Sequence, residues 1–248
     1  MPEGQSHPVW RTVFPLYKWL VIVPFLGIST GIIGSLIAIL SMLGMPNFSS
    51  RVLATRWARL NMAVSLISID IEGTENVDPG QSYVIAANHQ SLIDLYVLYG
   101  YAGMDIKWVM KKELRSIPVL GIACEAMGHI IVDRSNTEAA IESINNARDR
   151  ITDGISVVFF PEGTRSRTGE LKSFKKGAFR LARDLKLPIL PVSIHDTNKV
   201  LPSDTMDLHP GRVKMRFHPP IPADEVVGTE LGELSNKTRD IISRALNE

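Results

Sequence analysis

Cysteine is almost missing from this 248-residue sequence, where Cys124 stands alone. An internal disulfide is therefore excluded, and so is a metal site built on several thiolates. Net charge is missing too, since 27 Lys and Arg residues oppose 26 Asp and Glu. A chain without a basic surplus gives no sign of nucleic-acid binding. Disorder is excluded as well, because 45% of the residues are hydrophobic and 21% charged. No nucleophile elbow, Walker A loop or H-E-x-x-H pair is expected. His7, His129, His195, His209 and His218 show no metal-ligand spacing. Cys124, inside the apolar run Ile117–Ala126, reads as a core residue.

What is present is an apolar surplus, seen as a mean hydropathy of +0.07. It sits at the N-terminus. From Trp19 to Ser50 there are 32 consecutive residues without a charge. Trp19–Gly44 as a helix would span about 39 Å, against roughly 30 Å of bilayer hydrocarbon. A cleaved signal peptide would have a shorter apolar core and a small-residue cleavage site. The segment therefore predicts membrane association, with a buried soluble helix pair as the plainer alternative. Pro24 predicts a kink, and Gly27, Gly31 and Gly34 place small residues along one face. One full span and two short re-entrant helices both fit. Arg11 and Lys18 before the segment, and Arg51, Arg56 and Arg59 after it, are too few to read orientation. Residues 51–67 predict an amphipathic helix, suited to the headgroup zone or to an ordinary protein surface.

Beyond residue 68 the pattern becomes globular. Short β-rich runs at Tyr83–Ala87, Ile106–Met110, Ile130–Val132, Ile155–Phe160, Ile189–Ile194 and Val213–Phe217 alternate with helical stretches. The clearest helices are Leu92–Tyr99, Thr137–Thr152, Ala178–Lys186 and one from about Glu230. This alternation predicts an α/β domain over 69–248, with a mostly parallel central sheet flanked by helices. Residues 1–68 are expected to form the preceding membrane-embedded helical segment. In such sheets ligands gather at the carboxyl ends of strands.

Three motifs fall there. In Asn88-His89-Gln90-Ser91-Leu92-Ile93-Asp94, His89 occupies a strand-to-helix turn and Asp94 the first helical turn. A carboxylate bonded to one imidazole nitrogen fixes the tautomer and leaves the other nitrogen free to take a proton. Ser91-x-x-Asp94 equally resembles a helix capping box, with Asp in place of Glu or Gln. The second motif is Phe160-Pro161-Glu162-Gly163-Thr164-Arg165-Ser166-Arg167. There Gly163 permits close backbone approach, the hydroxyls are donors, and Arg165 offers a fork for phosphate oxygens. A plain turn with solvated arginines has the same composition. From Lys172 to Lys186 six basic residues are opposed only by Asp184, which points to an anionic ligand, carrier or membrane surface. The third motif joins Lys111-Lys112-Glu113-Leu114 to Gly128–Arg134, with Arg134 a second candidate phosphate ligand and Asp133 beside it.

Together these residues resemble the 1-acyl-sn-glycerol-3-phosphate (lysophosphatidic acid) acyltransferases, a family of glycerolipid acyltransferases. The likeness rests on the His-x4-Asp block, on Lys111-x-Glu113-Leu114 with Gly128-x-Ile130-x-x-Asp133-Arg134, and on Phe160–Ser166 running into Phe174-Lys175-x-Gly177-Ala178-Phe179. Pro188–Val192 completes it, and Ile131 stands where the family commonly has Phe. The resemblance implies acyl transfer from acyl-CoA or acyl carrier protein to the sn-2 hydroxyl of lysophosphatidic acid. It implies His89 as general base oriented by Asp94, with Glu162, Gly163, Thr164 and Arg165 at the acceptor phosphate. Glu162 is expected to orient Arg165 or backbone donors, since like charges repel. Lys111 and Arg134 would neutralise acceptor phosphate or donor pyrophosphate. No metal or other cofactor is called for. The expected place is the membrane bilayer, with the catalytic domain on the cytoplasmic face. Another lysolipid acceptor, or a catalytically silent lipid-binding protein, are the alternatives.

Overall fold

The chain is seen in a computed structural model that describes residues 8–133, 143, 146 and 148–248. Helix α1 (Pro8–Tyr17), a π-helical turn (Lys18–Ile22) and α2 (Val23–Met42) run on without a break. The predicted kink at Pro24 is absorbed in that wide turn. Proline has no N–H and crowds the carbonyl four residues back, and a π turn relieves the crowding. Val23 N–H correspondingly bonds to Lys18 O, five residues back. Val13–Met42 is a 30-residue helical stretch apolar enough, by length and composition, to cross a membrane. Gly27–Gly31 also spells G-x-S-x-G, but it lies mid-helix, so Ser29 is on no strand-to-helix elbow. A Cβ on Gly27 or Gly31 would meet nothing within 4 Å, whereas one on Gly34 would meet Val119.

After a turn at Gly44, α3 (Pro46–Phe48), a second π turn (Ser49–Ala54) and α4 (Thr55–Val64) return alongside α2. The helix buries Ala58 and Met62, whereas of the apolar stripe predicted here, Leu53, Trp57, Leu60 and Val64, three are half-buried and Leu60 is exposed. Trp57 stacks on Tyr96 and donates to Thr30 Oγ1 at 3.2 Å. The helix ends at Val64, and Leu66 turns the chain with φ of 58°. The predicted helix to residue 67 is thus cut short by strand β1 (Ile67–Glu72), whose alternating Ile-Ser-Ile-Asp-Ile-Glu fits a half-buried strand.

There follow β2 (Val84–Ala87), α5 (Ile93–Tyr101), β3 (Asp105–Lys111), α6 (Leu120–Ala126), β4 (Ile130–Val132) and β5 (Ile155–Phe159). The helix predicted over Thr137–Thr152 lies largely outside the described residues. Next come α7 (Gly177–Leu185), β6 (Ile189–His195), α8 (Thr197–Val200), β7 (Gly211–Phe217), α9 (Ala223–Gly228) and α10 (Leu231–Leu246). The sheet order is β1-β7-β6-β2-β5-β3-β4, parallel throughout except for the antiparallel β6–β7 pair.

Strand β2 shows how the sheet divides the core. Ile85 and Ala87 face a cluster with Met62, Val97 and Leu98 from α4 and α5. Val84 and Ala86 face Phe179, Leu181 and Leu234 from α7 and α10. All four β2 side chains are fully buried, as a central strand between two helical layers requires. A third cluster joins Ile37 and Ala54 of the N-terminal helices to Ala123 and Met127 at α6. The helix pair therefore lies on the α5–α6 layer. The carboxyl ends of β2, β3 and β5 share one sheet edge.

Candidate active site

The β2 ladder stops at Ala87, and Asn88 anchors the turn beyond it. Its amide donates to Ile194 O and accepts from Ile194 N, both at 2.8 Å, which ties the end of β2 to the end of β6. His89 comes next. Its Nδ1 meets Asp94 Oδ2 at 2.7 Å, with the His89 side chain 15% exposed and Asp94 fully buried. The backbone N–H groups of Gln90 and Ser91 also donate to Oδ2, at 2.7 and 2.9 Å. Bracing of the turn before α5 and imidazole orientation are therefore one arrangement. The carboxylate that accepts from two backbone N–H groups of the turn leading into α5 also holds the ring. Among the described residues, His89 Nε2 has no hydrogen-bond partner.

Two further groups fix His89. Phe160, just beyond β5, stacks on the imidazole at 3.9 Å between centroids and 11° between planes. Glu162 Oε1 accepts from His89 N–H at 2.7 Å, and its Oε2 accepts from Lys172 N–H at 3.0 Å. Burial pushes the Glu162 carboxyl above its ordinary value, against the pull of those two N–H groups. Glu162 thus orients backbone donors, one of its two expected roles, and Arg165 is oriented elsewhere. Ser166 N–H closes the loop by donating to His89 O at 2.8 Å.

The other predicted residues divide. Gly163 has φ of 77°, and a Cβ there would come within 2.8 Å of Lys175 Nζ, so the turn requires glycine. Thr164 Oγ1 accepts from Lys172 Nζ at 3.2 Å. Arg165 pairs with Asp204 at 3.0 Å, and Arg167 takes the other oxygen of that carboxylate at 2.8 Å. Lys111 ends β3 on the same sheet edge, exposed and two strands across from His89, with no hydrogen bond to the His89 loop. Asp133 pairs with Lys112 at 2.6 Å. Arg134 lies outside the described residues. Among those residues, no group of three or more His, Cys, Asp or Glu could hold a metal ion.

Sequence reasoning passed over Thr197 and Asp204. The fully buried Thr197 hydroxyl donates to Asp94 Oδ1 at 2.5 Å. Thr197 lies two residues beyond the end of β6, as His89 lies two beyond β2, so the strand-end rule that singled out His89 also covers it. Asp204 had no such signal. A cleft of about 590 Å³, lined by Ser82, Asp153 and Leu187, opens at the opposite edge, where β2, β5 and β6 begin.

A histidine at the end of a parallel strand, with a buried aspartate on one nitrogen and the other nitrogen free, is a site for moving a proton. The chain belongs to the acyltransferase family, whose model matches residues 68–195. It is 32% identical over 197 residues to a chloroplastic 1-acyl-sn-glycerol-3-phosphate acyltransferase of Brassica napus, covering 79% of this chain and 55% of that protein. The chain thus spans just over half the length of that relative. A Saccharomyces cerevisiae protein of the same name is 29% identical over 244 residues, 97% of this chain and 80% of that one. The fold is that of the Thermotoga maritima acyltransferase PlsC, with a TM-score of 0.77 at 24% identity, covering 96% of this chain and 95% of that chain.

Proposed function

We propose that this protein is a membrane-bound 1-acylglycerol-3-phosphate O-acyltransferase. It moves a fatty acyl group from a thioester, acyl-CoA or acyl carrier protein, to the sn-2 hydroxyl of lysophosphatidic acid, forming phosphatidic acid for phospholipid synthesis. The observation that carries the reading is the 2.7 Å contact between His89 Nδ1 and the buried Asp94. It orients the ring and leaves Nε2 to act. The relatives' names support the acceptor.

His89 Nε2 takes the hydroxyl proton as the oxygen attacks the thioester carbonyl. The C–S bond then breaks, and the departing thiolate recovers that proton from His89. A thioester is already activated, so deprotonation and positioning are the main tasks left to the protein. Asp94 and Phe160 hold the ring, and Glu162 holds the backbone that carries it. Gly163, Thr164 and Arg165 receive the acceptor phosphate, which displaces Asp204 from Arg165. Lys111 and Arg134 supply positive charge for acceptor phosphate or donor pyrophosphate. Val13–Met42 anchors the enzyme in the bilayer, with the catalytic domain on the cytoplasmic face.

The test offers the full chain, reconstituted in lipid, labelled acyl-CoA or acyl carrier protein with a panel of lysolipids, and identifies products by mass spectrometry. Phosphatidic acid from lysophosphatidic acid is expected. Product only from a phosphate-free acceptor, or binding without turnover, overturns the reading.

A further inference from the structure

Every oxygen of Asp94 is spoken for, but unequally. Oδ2 serves His89, Gln90 and Ser91, whereas among the described residues Thr197 alone is bonded to Oδ1. Thr197 is 103 residues away in sequence and stands just outside the segment matched by the family model.

Its placement is tightly built. Asp196 reverses the chain directly after β6 with φ of 65°, a region that side-chain-bearing residues seldom occupy. Asn88 locks β6 to the end of β2 just before that reversal. Leu201 N–H returns to Thr197 O at 2.9 Å, and Leu201 O accepts from Ser91 Oγ at 2.7 Å. The loop that carries Thr197 is therefore fastened, on both sides, to the segment that carries His89 and Asp94.

We infer that Thr197 is a positioning residue for acyl transfer, whose hydroxyl fixes the rotation of the Asp94 carboxylate so that Oδ2 meets His89 Nδ1. The inference rests on the proposed chemistry of His89. With no donor at Oδ1, only the three bonds at Oδ2 and the Phe160 stack resist rotation of the carboxylate, and the imidazole is held less firmly against Oδ2. Misplacement of a reacting group by about 1 Å can cost about 100-fold in rate. Thr197 touches neither substrate in this scheme, so its effect belongs in turnover and not in acceptor binding.

The test compares Thr197→Val, which removes the hydroxyl at nearly constant volume, with Thr197→Ser, which keeps it, and with His89→Ala. All are assayed as full chains in lipid, with lysophosphatidic acid and whichever thioester the unaltered protein uses. Thr197→Val is expected to lower kcat by about 10- to 100-fold while acceptor KM stays within about twofold. Thr197→Ser is expected to restore most of kcat. If His89→Ala is inactive and Thr197→Val turns over normally, the role of Thr197 is wrong and the base stands. If His89→Ala retains activity, the underlying reading fails. A loss that appears as raised KM, or equally in Ser and Val, also overturns the positioning role. Thr197→Ala, unable to clash, repeats the comparison should Val disturb folding.

Discussion

Two histidines in this protein, His89 half-buried and His129 buried, serve different ends. His89, at the carboxyl edge of the sheet, has a carboxylate on Nδ1, an aromatic ring on one face and Nε2 free. His129, between α6 and β4, has Tyr99 Oη at Nε2 and accepts from Trp108 N–H at 3.4 Å through Nδ1. Among the described residues no carboxylate is bonded to it, and Lys107 supplies a nearby positive charge. Burial, reinforced by Lys107, lowers its pKa to about 3. His129 therefore stays neutral and structural, with both nitrogens used. Burial alone does not make a histidine a base. A partner for one nitrogen and freedom for the other do.

The same substitution at both positions tests this most strongly. His89→Gln is expected to lower acyl transfer by about 10²- to 10⁴-fold. His129→Gln should leave kcat/KM within about threefold when compared at equal folded fraction. Equal losses would erase the distinction. Next in size is Glu162→Ala, which leaves the N–H groups of His89 and Lys172 without acceptors. A fully buried donor left without an acceptor costs about 1–3 kcal/mol; these two are part-buried and cost less, so a modestly lower thermal midpoint in detergent is expected, with turnover reduced about tenfold as the His89 backbone loosens.

The third test is pH. Between about 6.5 and 3 the unfolded chain binds a proton at residue 129 that the folded chain refuses. Stability contributed by neutral His129 is present above 6.5 and lost as pH falls towards 3, amounting to about 2 kcal/mol by pH 5. His129→Gln should therefore show a smaller drop in unfolding midpoint between pH 7 and pH 5 than the unaltered protein. The smallest effect is expected at Asp204, whose ion pairs are partly exposed and worth about 0.2–1 kcal/mol. Asp204→Ala should lower KM for lysophosphatidic acid by at most about fivefold, and higher salt should shrink the difference. A raised KM would mean that Asp204 helps to form the acceptor site.

Local features were the legible ones. β2 and β5 are apolar runs bounded by polar or turn residues, so their ends were placed to within a residue. His89 and Asp94 share one turn, and their contact followed from spacing. β1 escaped notice because no Gly or Pro separates it from α4, only the positive φ of Leu66. The single antiparallel pair, β6–β7, likewise carries no local mark. The fate of Arg165 was hidden for a different reason. Its residue type advertised a phosphate ligand, but Asp204, 39 residues on, is brought to it only by the fold. Thr197 and Glu162 reach Asp94 and His89 across 103 and 73 residues, distances over which spacing says nothing. Cys124 met its reading directly: it is buried, and burial pushes its thiol up to about 12.

The long reach of Thr197 has a consequence for how the molecule comes into being. Synthesis delivers the His89–Asp94 segment early, then Phe160 and Glu162, and the hydroxyl for Asp94 Oδ1 only after another thirty-odd residues. Contacts of such separation form late, because the intervening chain must first be closed into a loop. A nascent chain ending at residue 195 contains every residue matched by the family model and still leaves Oδ1 of its aspartate bare. The N-terminal helices are made before any of this, so a chain held at a bilayer by them would carry its histidine there well before the site is complete.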